Sequence, residues 1–185
     1  IVLTDIKPPV FHELMRVHGK KLNSWVYEEL RQRIPDLDPV FMAKMQRHFD
    51  EPQENYLEKK LLRAAHYLAT QWEFGIIYHF NQGIYGVEET KAAIESEIED
   101  HYDLAGVQKL SLKGKTSKFV DLVGQLRFQK RWAQSPRVPE TSVMGHVLIV
   151  AALAYFCAVK MQASDERIVN DFLCGLFHDL PEVLT

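Results

Sequence analysis

Two helical patterns of similar length, joined by a very short connection, constrain this chain's fold more than any other feature. Val143 to Met161 is apolar on almost every side, with Thr141 or Ser142 placed to cap it after Pro139. Ser164 is placed to cap the second, and Asp165 and Glu166 fall in its first turn, where the helix dipole favours acids. That helix runs through Ile168, Phe172, Leu173, Leu176 and Phe177 to His178. From His146 to Gln162 the chain rises roughly 24 Å, and from Ser164 to His178 it returns roughly 21 Å, at about 1.5 Å per residue. The Ala163-Ser164 connection makes the two helices antiparallel neighbours. His146 and His178 are thereby expected at nearly the same height.

The rest of the chain agrees with an all-α fold. No run of alternating β-branched residues is bounded by hairpin turns. Leu57, Leu61, Ala65, Leu68, Trp72 and Ile76 form one helical stripe, from Asp50-Glu51-Pro52 to Asn81-Gln82-Gly83, and Phe119, Leu122, Val123 and Leu126 form another. Pro35 to Pro39 and the region of Gly83 and Gly86 read as loops. At 185 residues the chain has room for one domain or parts of two. The longest apolar run, Val147 to Val159, is read as too short to cross a bilayer and is closed by Lys160. No secretory pattern opens the chain, and Ile1 at its start suggests an excised piece of a longer polypeptide. Cys157 and Cys174 lie in apolar helical patterns and are expected to be reduced core residues of a cytoplasmic protein.

A net charge of −3 argues against a general nucleic-acid binder. Its distribution is uneven. Glu88 to Asp103 holds seven acids against Lys91, whereas Lys109, Lys113, Lys115, Lys118, Arg127, Lys130, Arg131 and Arg137 face Asp121 alone. The acidic run suits a solvated helix face; the basic run leads toward His146 and suits a phosphate-bearing ligand. Taken singly, His146 fits a helix start, and His178 fits a helix C-terminus, where the dipole favours a cation. Asp179 at that same C-terminus is disfavoured by the dipole, and a bound cation would relieve the conflict. Glu182 reads either as a solvated helix-end acid or as a base one turn beyond His178. Trp132 reads on its own as core, and Arg127, four residues before Arg131, is expected on Arg131's face.

With His146 followed 32 residues later by His178-Asp179, the sequence resembles the HD-domain metal-dependent phosphohydrolases. Arg131-Trp132, His146 and His178-Asp179-Leu180-Pro181-Glu182-Val183-Leu184-Thr185 are most similar to the 5′-deoxynucleotidase branch, over about residues 119 to 185. The resemblance implies His146, His178 and Asp179 as ligands of one divalent ion, with a fourth ligand, a distal Asp, beyond these residues. It implies Glu182 as the acid/base on the attacking water, Arg131 on the substrate phosphate with Arg127 assisting, and Trp132 against sugar or base. Imidazole with carboxylate suits Mn²⁺, Co²⁺, Fe²⁺ or Ni²⁺, with Mg²⁺ also admitted. One departure is Gly145, where the family's catalytic members carry a Glu before the first His.

The opening residues, Val2-Leu3-Thr4-Asp5-Ile6 with Pro8-Pro9, resemble the segment that follows a His-Asp motif. Lys60 to His66 resembles the helix of the distal Asp, with His66 in its place. This gives an expected organisation of two tandem repeats: 1–82 the back half of a degenerate HD-like repeat, 83–118 a charged linker, and 119–185 the front half of a second. The remaining histidines, His12, His18, His48, His79 and His101, have no ligand spacing and are expected at the surface or in loops. The expected function is removal of phosphate from a nucleotide or similar small phosphate ester. The alternatives are a non-catalytic regulatory module on the same scaffold and an HD phosphodiesterase. No membrane and no large nucleic acid is expected as partner, and a homo-oligomer is left open.

Overall fold

The computed structural model describes residues 8–51, 55–135 and 138–184. Val2 to Ile6, Pro52, Arg137 and Thr185 lie outside the described residues, as does the side chain of His12. The fold is all-α: α1 Pro8–Arg33, α2 Pro39–Asp50, α3 Tyr56–Phe80, α4 Val87–Glu99, α5 Ala105–Ser111, α6 Lys115–Gln125, α7 Val143–Lys160, α8 Asp165–Phe177 and a closing 3-10 helix, Leu180–Leu184. Among the described residues the sole β feature is an isolated antiparallel bridge between Lys130 and Ser142. The chain divides into two compact units, which meet in sequence at Ile98 and Glu99.

In the first unit α1 packs on α2 across the loop foreseen at Pro35 to Pro39. Asp38 caps α2, its Oδ1 accepting from the Phe41 N–H at 2.9 Å, and Pro39 opens the helix where a missing N–H costs nothing. Helix α3 spans the stripe from Leu57 to Ile76, yet Ala64 is its only residue described as buried. Leu57, Leu61 and Ile76 of the expected stripe remain 55%, 49% and 40% exposed. The stretch 83–118, read as a charged linker, carries α4, α5 and the start of α6. Its acids sit on the outside of α4, while Val87, Ile94 and Ile98 at helical spacing are buried. Tyr78 Oη donates to Glu88 Oε1 at 2.7 Å, with Lys91 Nζ 4.8 Å from the Tyr78 ring centre.

In the second unit the core gathers around Leu126, Val143 and Val147, all at most 2% exposed, with Met144, Leu176, Leu180 and Val183 packed on them. Burying side chains of this size contributes about 1.5–3 kcal/mol each. The α7–α8 hairpin forms as its sequence predicts. Ser142 Oγ accepts from the Gly145 N–H at 3.1 Å and Ser164 Oγ from the Arg167 N–H at 3.3 Å. Between the helices Gln162 takes φ +54°, the Gln162 N–H reaches Val159 O at 3.0 Å, and the Ala163 N–H reaches Ala158 O at 3.1 Å. This pair of bonds is a Schellman ending, which satisfies the last carbonyls of α7 and reverses the chain.

Three expectations are corrected here. Cys157 and Cys174 are free thiols but exposed rather than core. The buried stripe of α7 is Val143, Val147, Ala151 and Ala158, and its apolar character on the other faces buries nothing at Cys157. His101, expected at the surface or in a loop, lies in the turn between α4 and α5 but is buried there, at 6% exposure. Helix α7 is also, by length and composition, long and apolar enough to cross a membrane, which the shorter apolar run in the sequence understated. Its stripe of small and β-branched residues packs on α8, and 22% of the span is buried.

Candidate metal centre

Backbone pairing sets the stage for the site. Helix α6 ends at Gln125, and Leu126, Arg127 and Phe128 turn tightly through bonds to Val123 O, Gly124 O and Gln125 O. The chain then runs beside the start of α7: the Val143 N–H donates to Gln129 O at 2.9 Å, the Met144 N–H to Leu126 O at 3.1 Å, and the Arg131 N–H to Thr141 O at 2.9 Å. Arg131 is thereby brought to the end of the hairpin that carries His146, four residues past the Ser142 cap.

His146, His178 and Asp179 converge, each offering one donor atom, with those atoms within 4.8 Å of one another. His178 Nε2 lies 3.2 Å from Asp179 Oδ1 and His146 Nε2 lies 3.6 Å from Asp179 Oδ2. The two imidazole centroids are 5.4 Å apart, ring edge to face. His178 Nδ1 is 2.8 Å from Gly175 O. A carbonyl only accepts, so Nδ1 carries a hydrogen and Nε2 is the ring nitrogen turned toward Asp179. Asp179, at 18% side-chain exposure, is the most protected of the three. Among the described residues this is the one such group of three or more His, Cys, Asp or Glu.

The donor chemistry fits a divalent ion. Two imidazole nitrogens, one of them fixed in its tautomer by a backbone carbonyl, and a carboxylate suit borderline first-row metals. Arg131 Nη1 donates to Asp179 Oδ2 at 2.8 Å, with both side chains mostly covered. The conflict between Asp179 and its helix C-terminus is therefore already eased by a guanidinium. The dipole alone does not demand a metal; the convergence of three donors is the stronger argument.

The remaining predicted residues are placed as follows. Glu182 lies in the 3-10 helix, its N–H on Asp179 O at 3.0 Å. Glu182 therefore follows Asp179 by one 3-10 turn of backbone, rather than His178 by one α-helical turn. Gln129 Nε2 donates to Glu182 O at 2.8 Å and ties this turn to the Arg131 segment. Trp132 is exposed with φ +59°, a left-handed backbone that costs a bulky residue of order 1–3 kcal/mol. Arg127 lies beyond the end of α6, its guanidinium 5.5 Å from the Phe128 ring centre, so no helix face carries it together with Arg131. His66 is exposed on α3 with its ring edge against Tyr67, and is not part of a ligand group among the described residues. Gly145 is the third residue of α7, its N–H on the Ser142 cap.

Sequence reasoning passed over two contributors. Gln129 gave no signal in the sequence, and it keeps a buried Oε1 with no hydrogen-bond partner. Gly175, an isolated glycine late in an apolar helix, is a pattern that usually marks close packing. Here a Cβ would meet Ala151 Cα at 2.8 Å.

The helical hairpin presents at one end two histidines and an aspartate that could together hold a metal ion. Residues 123–185 match the family model of the HD domain, 63 of the chain's 185 residues. The matched stretch contains every residue of the cluster together with Arg131 and Glu182. No curated protein and no solved structure matches the chain.

Proposed function

We propose that the second unit carries the metal centre of a phosphohydrolase that removes phosphate from a nucleotide or a similar small phosphate monoester. The convergence of His146, His178 and Asp179 beside Arg131 carries this reading. The HD-domain match and the likeness of the Arg131-Trp132 and His178-to-Leu184 segments to the 5′-deoxynucleotidase branch support it. His146 and His178 would hold the ion through Nε2, and Asp179 through its carboxylate. A bound Mn²⁺, Co²⁺, Fe²⁺, Ni²⁺ or Mg²⁺ ion makes water more acidic and polarises a phosphoryl oxygen. Arg131 has five N–H donors, so the one given to Asp179 leaves others for a phosphate. Glu182, one 3-10 turn past Asp179, is the base that takes a proton from the attacking water. Trp132, held exposed in a strained backbone, offers a face for the sugar or base.

The test is a phosphatase screen of the full-length protein against nucleoside monophosphates with Mn²⁺, Co²⁺ or Mg²⁺. Turnover in wild type and its loss in Asp179→Ala is the expected result; equal rates in the two would remove the mechanism. One observation favours a second reading, a regulatory module that binds metal or nucleotide without turnover. Gly145 supplies no carboxylate beside His146. Metal binding with no hydrolysis of any phosphate ester, monoester or diester, would select that reading.

A further inference from the structure

We infer that Gly175 is a positioning residue for the metal centre, acting on His178 in two ways at once. The inference rests on the reading of His146, His178 and Asp179 as ligands. The first action is the approach of the two helices. A Cβ at Gly175 would lie 2.8 Å from Ala151 Cα, 3.0 Å from Ala151 N and 3.2 Å from Val150 C, all backbone atoms of α7. Ordinary contact begins near 3.4 Å, so one methyl group forces the helices apart by about 0.6 Å. No side-chain rotation on α7 relieves it. The second action is orientation: the Gly175 carbonyl accepts the His178 Nδ1 hydrogen at 2.8 Å and points Nε2 into the cluster.

The location makes the contact decisive for the site. Gly175 precedes His178 by three residues, about 4.5 Å along the axis, and Ala151 follows His146 by five. Helix α8 ends at Phe177, so little chain remains to absorb a displacement before His178. Ligand distances in a metal site tolerate only about 0.2 Å. A shift near 0.6 Å exceeds that tolerance and also disturbs the Nδ1 bond. Gly106, in α5 of the same unit, has nothing within 4 Å of where a Cβ would stand and serves as the contrast.

The experiment compares Co²⁺ affinity and the Co²⁺ absorption spectrum of the full-length wild type, Gly175→Ala and Gly106→Ala, with far-UV circular dichroism on each. Expected is a ten- to hundredfold loss of affinity with an altered spectrum in Gly175→Ala. Gly106→Ala should stay within twofold of wild type. A folded Gly175→Ala with unchanged affinity and spectrum overturns the role of Gly175 while leaving the metal centre standing. A wild type that binds no Co²⁺ overturns both. Should Gly175→Ala not fold, the wild type decides through the imidazole NMR of His178. A slowly exchanging Nδ1–H supports the inference, and an Nε2–H tautomer contradicts it.

Discussion

Helices α3 and α7 are both long and rich in apolar residues, and both leave some of them exposed: Leu57, Leu61, Leu62 and Ile77 on α3, and Leu148, Ile149 and Leu153 on α7. They differ in what they bury, which on α3 is Ala64 alone. Helix α7 buries Val143, Val147, Ala151 and Ala158, because a Schellman ending brings α8 back against it and Gly175 lets the backbones meet. An apolar stripe stabilises only when local chemistry delivers a partner. In the second unit that partner comes from the next 20 residues, and the same hairpin brings His146 to His178.

That contrast can be broken by paired substitutions. Leu126→Ala, in the core of the second unit, should destabilise by about 2–5 kcal/mol, while Leu61→Ala on α3 should stay within about 0.5 kcal/mol. Urea unfolding of the two variants checks both, and equal losses would erase the distinction. Next in size, Ser164→Ala and Ser142→Ala each remove a cap and should cost about 1 kcal/mol. A fall in thermal midpoint of a few degrees reports it. Smaller still is Gly145→Glu, which pairs a Glu at the third helical position with the Ser142 cap and replaces a glycine in a helix. A gain of about 0.5–1 kcal/mol is expected, set against a Cβ contact of 3.3 Å to Ser142 Oγ, which can rotate away. No gain would mean that this contact dominates.

The smallest effect belongs to the first unit. The Tyr78 hydroxyl is raised above its ordinary value of 10.0, chiefly by its hydrogen bond to Glu88 and then by burial and the Glu88 charge. Such a shift contributes stability that is fully present below pH 10.0 and is lost as pH rises from there through the raised folded value. Tyr78→Phe should therefore lower the urea midpoint slightly near pH 8, with the difference shrinking above pH 10. A difference that grows with pH would contradict the assignment.

The fold class was legible because helix periodicity, the Ser142 and Ser164 caps and the two-residue connection are local signals. The height match of His146 and His178 followed from the same arithmetic. What was not legible depended on long-range packing. The acidic run read as a solvated helix face, but the buried side of α4, Val87, Ile94 and Ile98, was hidden because its acids outnumber those three residues. The exposure of Cys157 and the burial of His101 depend on which face finds a neighbour. Glu182's position one 3-10 turn past Asp179 depends on a turn that Gln129 holds from 53 residues away. Arg127 was misplaced because α6 stops at Gln125, so a spacing of four no longer means a shared face.

The central claim is that His146, His178 and Asp179 act as one ligand set. It is tested most directly by titrating the full-length protein with Mn²⁺, alongside His146→Ala, His178→Ala and Asp179→Ala, each verified as folded. The account predicts a single site in the wild type and its loss, or at least a tenfold weakening, in every one of the three variants. Wild-type affinity retained after any one substitution would contradict it.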